Sequence, residues 1–134
     1  MHSHSYTGNP ISCSAANAVF DIFKSSNILK MINEKGSYIY NKSCGLFNHK
    51  YIGDIRSIGM ITAVEIIEDK KTKKSFDWKK RTGYRIYRAA EKKGVLLRNL
   101  GDIIYFLPPF TINKKEMDFM IDTAYNAAME VLNG

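Results

Sequence analysis

An α+β fold, with a small, mostly antiparallel sheet and helices packed on one of its faces, is predicted by three observations. Apolar residues recur at helical spacing in four separate stretches. Between them, residues 54–67 are rich in β-branched side chains and carry no helical stripe. Two short apolar runs, Val95-Leu96-Leu97 and Ile103-Ile104-Tyr105-Phe106, then flank a turn ahead of Pro108-Pro109. Two helices, strands, a helix, two strands and a helix make a layered α+β arrangement. A doubly wound nucleotide fold is excluded, because no glycine-rich loop joins a strand to a helix, and no P-loop, GxGxxG, HExxH or CxxC occurs.

Each element has a local reason. Gly8-Asn9-Pro10 announces the first helix: Asn9 is a good N-cap, and Pro10 suits the first helical position, where a missing N–H costs nothing. From Ile11 to Phe23 only Ser14, Asn17 and Asp21 form a polar stripe, so this helix is expected to be buried on most of its circumference. Ser25-Ser26-Asn27 breaks the chain. A second helix turns Ile28, Met31, Ile32 and Ile39 inward, with Gly36 as its weak point. Residues Asp54 to Ile67 read as one or two strands, with Gly59 at a bend or close packing point. A third helix is expected from Trp78 to Lys93, burying Ile86, Ala89 and Ala90 and stopping at Gly94. Val95 to Leu97 is then a strand, Asn99 to Asp102 a turn, and Ile103 to Phe106 the returning strand. The last helix opens on Asn113 with Glu116 three residues on, close to a capping box, and its inward stripe is Met117, Met120, Ile121, Ala124, Ala128 and Val131.

The 134 residues suit one domain, long enough to bury roughly two thirds of its unfolded surface without disulfides. Two cysteines, Cys13 and Cys44, read as reduced thiols. No secretory signal and no membrane-spanning run is visible, so a soluble, cytoplasmic protein without a membrane partner is expected. The formal charge of +7 gathers at Lys70, Lys71, Lys73, Lys74, Lys79, Lys80 and Arg81. A solvated loop running into a helix explains that segment. The alternative is a stand-alone basic module binding nucleic acid, which no accompanying motif supports.

Candidate chemistry lies at three places. Before the first helix, the hydroxyls of Ser5 and Thr7 and nearby backbone N–H groups either bind a phosphate or only cap the helix. His2 and His4, two apart, would face the same way on an extended segment, but no third ligand follows, and no metal site is expected. Arg98, after three apolar residues, is either an exposed strand-end arginine or a planar fork aimed at a carboxylate. Arg56, the competing arginine, is expected to serve structure by pairing a carboxylate or capping a helix.

Three runs carry a family resemblance. They are His2-Ser3-His4-Ser5-Tyr6-Thr7-Gly8-Asn9-Pro10, Ile55 to Glu65, and Gly94 to Arg98 continuing through Ile104-Tyr105-Phe106-Leu107-Pro108-Pro109-Phe110. In this order they resemble the class III, pyridoxal-phosphate-dependent aminotransferases across nearly the whole chain. The last run looks most like the biotin-pathway branch, in which adenosylmethionine gives an amino group to 8-amino-7-oxononanoate. The resemblance implies that residues 1–134 are the C-terminal small domain plus an interdomain helix. It also implies cofactor-phosphate contacts from His4, Ser5 and Thr7, and substrate contacts from Ser3 and from Arg98, which would hold the carboxylate. Asn99 departs from the proline that similar enzymes often have, leaving the turn geometry open. In the family the lysine that bonds the cofactor lies upstream in a large domain, and no lysine here has a matching context. The resemblance therefore implies a chain without a catalytic residue of its own. It would not bind pyridoxal phosphate alone, and would be inactive unless joined to a large domain, which is its partner if separately encoded. Uncovered apolar surface near Ile11, Cys13 and the second helix is expected to favour a homo-oligomer.

Overall fold

A computed structural model of the chain describes residues 7–134. The elements run α1 (Pro10–Ser25), α2 (Ile28–Leu46), β1 (Ile52–Ile58), β2 (Ile61–Ile66), a 3-10 turn (Trp78–Lys80), α3 (Thr82–Lys92), β3 (Arg98–Leu100), β4 (Ile103–Phe106) and α4 (Lys114–Asn133). The strands form one antiparallel sheet in the order β1-β2-β4-β3, so the α+β expectation holds. Thr62, Val64, Ile66, Ile104 and Phe106 are buried on one face. There α2 and α3 lie on the sheet and α4 packs against both helices, burying Ile39, Ile86, Ala90, Ile121, Ala124 and Ala128.

The helix signals are met where they are local. Asn9 accepts hydrogen bonds from Ile11 N and Ser12 N, and Pro10 takes the first helical position of α1. Asn113 and Glu116 form a full capping box on α4. Gly94, with φ of +87°, ends α3 in the left-handed region that favours glycine.

Two glycines on helices fix the sheet. A Cβ on Gly36 of α2 would lie 2.0 Å from the carbonyl oxygen of Gly59, and one on Gly83 of α3 would lie 2.1 Å from the carbonyl oxygen of Gly101. Gly59 and Gly101, with φ of +53° and +58°, each open a two-residue hairpin turn. Gly36 is therefore no weak point but the place where a turn carbonyl meets a helix.

Other expectations need correction. The Trp78–Lys93 helix is two pieces, because Arg81 adopts a left-handed conformation (φ 48°, ψ 44°) between the 3-10 turn and α3. Asp102, from the β3–β4 turn, accepts the Gly83 N–H at 2.8 Å and so satisfies an open amide at the start of α3. Val95 to Leu97 is an extended connection, not a strand; pairing begins at Arg98 and the turn shortens to Gly101-Asp102. The register follows from the partner, since Leu100 must sit opposite Ile103 to close a two-residue turn. Helix α1 buries none of its residues. Ile11, Val19, Phe20 and Ile22 all expose more than half their surface. The period of a sequence reports how apolar a helix is, and among the described residues α1 packs chiefly against α2.

An ionic cluster ties α2 to α4. The Lys42 ammonium reaches Asp118 at 2.8 Å and Asp122 at 2.9 Å, while the Tyr38 hydroxyl donates to Asp118. The hydrogen bonds from Lys42 and then Tyr38 hold the Asp118 carboxyl below the usual aspartate range. Burial works against the Lys42 charge, but the bonds to both aspartates outweigh it and raise its pKa.

Two outcomes are expected in urea unfolding. Gly36→Ala destabilises the fold by about 1–3 kcal/mol, because backbone must move to admit the methyl group, whereas Gly45→Ala, with open space around it, is neutral or stabilising. Because the folded Asp118 pKa is depressed, its stabilisation is present above the unfolded value and lost as pH falls through the folded one. Asp118→Asn should flatten this acid-side slope, and an unchanged slope would remove the cluster from the account.

Candidate functional site

The sheet has one uncovered face, and the register states what lies on it. Directly opposite residues of an antiparallel pair share a face. The pairs Arg98↔Tyr105, Tyr105↔Ala63 and Ala63↔Arg56 therefore line up in one row across all four strands. A parallel row joins Leu100, Ile103, Glu65 and Asp54. Ile58 and Ile61 pair at the hairpin end, 78% and 38% exposed.

The two arginines at the ends of the first row differ in their surroundings. The Arg56 guanidinium meets Asp54 at 2.9 Å and Glu65 at 3.2 Å, and these hydrogen bonds raise its pKa further. The structural role expected for Arg56 is what the geometry shows. Arg98 begins the edge strand β3, is exposed, and has no ion pair or side-chain hydrogen bond among the described residues. Buried Leu97 precedes it and anchors the backbone. With Tyr87, Leu96, Leu97 and Asn99 it lines a cavity of about 340 Å³. Asn99 donates from Nδ2 to Gly101 O at 3.3 Å, so it braces the turn from within. A planar cation with free donors at a sheet edge is suited to a carboxylate.

At the other candidate position, Thr7 is exposed two residues ahead of the Asn9 cap, and Gly8 turns with φ of +72°. Asn9 already takes the Ile11 and Ser12 amides, two of the donors a phosphate at the α1 N-terminus would use. Ser3, His4 and Ser5 lie outside the described residues, as does the pair His2 and His4. Among the described residues no group of His, Cys, Asp or Glu could hold a metal ion. None of their helices is long and apolar enough to cross a membrane.

Sequence reasoning missed a groove of about 570 Å³ beside the β3–β4 turn, walled by Phe76, Trp78, Tyr84, Leu100 and Ile103. Trp78 is 79% exposed, and Arg81 lies 4.2 Å over the Tyr84 ring. The signal was present as two aromatic residues, Phe76 and Trp78, within a basic stretch read as a solvated loop running into a helix. That stretch is also less basic than its composition, since Lys74 and Lys80 both pair with Glu68. These bonds, Lys74 first, hold the Glu68 carboxyl below its usual range.

Comparison with known proteins bears on these positions. Residues 1–127 match the family described as aminotransferase class-III. The chain is 39% identical over 134 residues to adenosylmethionine-8-amino-7-oxononanoate aminotransferase of Geobacter sulfurreducens, covering 100% of this chain and 30% of that one. The enzyme of the same name from Methanocaldococcus jannaschii is 33% identical over 129 residues, covering 96% of this chain and 28% of its own length. Its crystal structure matches with a TM-score of 0.87, over 96% of this chain and 30% of that one. A PMP-bound aminotransferase from Vibrio fluvialis, 25% identical, matches with a TM-score of 0.92 over 98% of this chain and 29% of its own. The chain thus spans about 30% of the length of the curated relatives it matches.

Proposed function

This chain belongs to the aminotransferase class-III family, and from that premise we propose that it is the carboxylate-holding part of a pyridoxal-phosphate-dependent aminotransferase. In this reading residues 1–134 are the C-terminal small domain and an interdomain helix. The whole enzyme transfers an amino group from S-adenosylmethionine to 8-amino-7-oxononanoate, giving 7,8-diaminononanoate. The observation that carries the reading is Arg98: a guanidinium without a counter-ion among the described residues, on an edge strand, in the run that most resembles the biotin-pathway branch. The identities to enzymes of that name support the same substrate pair.

Of the residues read as reaching the cofactor phosphate, Thr7 is the one among the described residues. Thr7, exposed before α1, together with Ser5 and His4, would hold the phosphate, and Ser3 would lie toward substrate. Pyridoxal phosphate, when bound, supplies the carbonyl that takes up the amino group and a ring that withdraws electrons from the reacting carbon. Arg98 fixes the far end of the acceptor, which orients the reacting carbon without touching it. The lysine that such chemistry needs belongs to the remaining part of the enzyme, so this chain is inactive alone and does not retain the cofactor. The apolar residues of α1 are then covered by that remaining part, and the assembled enzyme is a homo-oligomer acting on small molecules.

Incubating the chain with pyridoxal phosphate and borohydride should give no single stoichiometric lysine adduct and no turnover. A specific adduct together with turnover would overturn the reading. In an active enzyme reconstituted with a polypeptide that supplies the lysine, Arg98→Gln should lower kcat/KM for the acceptor by roughly 30–100-fold, the worth of a charge-assisted carboxylate contact.

A further inference from the structure

We infer that Asp102 is a positioning residue: it clamps the β3–β4 hairpin to the start of α3, and this clamp sets how tightly the enzyme holds its acceptor. The role rests on the carboxylate contact proposed for Arg98, but Asp102 itself touches no substrate; it acts on the strand that carries the arginine. That strand is poorly held by its own residues. β3 is three residues long, lies at the edge of the sheet and pairs with β4 alone. Arg98 and Leu100 are exposed and Asn99 is half-buried, so packing does not fix it either. Its hold comes from its two ends, where buried Leu97 precedes it and Gly101-Asp102 closes the turn behind it.

Asp102 joins the turn to two other elements. Its backbone carbonyl accepts the Ile66 N–H at 2.9 Å, at the end of β2, and its Oδ1 accepts the Gly83 N–H at 2.8 Å. Gly83 is the second residue of α3, and its amide is one of those that a helix start leaves without a partner inside the helix. The usual local cap is missing, because Arg81, just before α3, is left-handed and makes no side-chain capping bond. A turn 19 residues away in sequence supplies the acceptor instead, with a carboxylate at the positive end of the helix. The close approach depends on Gly83, where a Cβ would lie 3.0 Å from the Asp102 Cα. Helix α3 is itself fixed, since Ile86, Ala89 and Ala90 are buried in the core. The core therefore holds the far end of β3 through this side chain. The cap of α4 differs in being local: Asn113 and Glu116 each bond the other's backbone and hold no strand.

Acceptor kinetics in the reconstituted, active enzyme test this. A contact made equally before and during the reaction shows in KM and not in kcat. Asp102→Ala should therefore raise the acceptor KM by roughly 5–10-fold and leave kcat within about twofold, as a displaced binding group does. Asp102→Asn keeps an acceptor oxygen for the Gly83 amide and should bring KM back to within about twofold of the parent. Asn113→Ala removes a comparable cap from α4 and should leave KM unchanged. With an acceptor analogue that ends in a methyl group instead of the carboxylate, Asp102→Ala and the parent should show the same KM. Where Asp102→Ala does not assemble, Asp102→Glu takes its place: the charge stays, the longer reach displaces the turn, and KM should rise likewise. If Asn113→Ala raises KM as much, if Asp102→Asn does not restore it, or if the methyl analogue shows the same rise, Asp102 serves only the fold and the assignment fails. It fails too if the Asp102 variants leave KM unchanged while Arg98→Gln lowers kcat/KM, and the role of Arg98 then stands. If Arg98→Gln changes nothing, both roles are lost.

Discussion

Everything about the sheet's position depends on two contacts in which a turn carbonyl rests on a helix glycine. Gly59 O lies against Gly36, and Gly101 O against Gly83, each so close that a Cβ would fall inside the carbonyl. The contacts are made by different hairpins on different helices, so together they set the whole sheet relative to α2 and α3. The second is reinforced by Asp102, whose carboxylate takes the Gly83 N–H and lies at the positive end of α3. Since Gly101-Asp102 closes the β3–β4 hairpin, the same contact that seats α3 also fixes the edge strand on which Arg98 sits. Packing and site are thus one arrangement: the helix cannot shift without carrying the arginine with it.

The open face shows how chemically similar residues acquire different roles from register alone. Arg56 and Arg98 occupy the two ends of one cross-strand row. Arg56 has Asp54 two residues away on its own strand and Glu65 on the next, on the same face. At the Arg98 end the nearest positions on that face are Tyr105, Leu100 and Ile103, none of them charged. A half-exposed, fully paired guanidinium contributes little beyond local order, as surface ion pairs do. Arg98, with no partner among the described residues, keeps its donors open at the edge.

Much of this was legible in the residues, and the limit of legibility has a physical origin. The Asn9-Pro10 start, the Asn113 and Glu116 box, the Gly59 bend and the Gly94 stop are satisfied within a few residues of chain, so sequence alone reveals them. The family resemblance also singled out Arg98 by its run. What was not legible depends on distant partners. Residues 95–97 have strand-like composition but no neighbour to pair with, and pairing starts at Arg98 because Tyr105 is there. Arg81 takes a left-handed conformation that glycine or asparagine would signal and arginine does not. Gly36 reads as a helix defect until Gly59 arrives opposite it. The pairing of Arg98 with Tyr105 needs the strand order, which no local pattern contains.

The same distinction explains α1, where composition demanded burial and the chain supplies almost none. Ile11, Val19, Phe20 and Ile22 expose between 51% and 81% of their surface along one helix. Covering a large apolar side chain is worth about 1.5–3 kcal/mol, so completing the burial of these side chains amounts to about 4–8 kcal/mol. Whole domains of this size are stable by about 5–15 kcal/mol. The surface left open on one helix therefore carries free energy comparable to that which holds the domain folded. Lipid is a poor fit as the cover, since α1 carries Lys24 as its only cation, where interfacial helices line their polar face with lysine and arginine. A folded protein surface is the better match. Bound to one, this chain would owe as much of its stability to assembly as to its own core, and the two could not be measured separately.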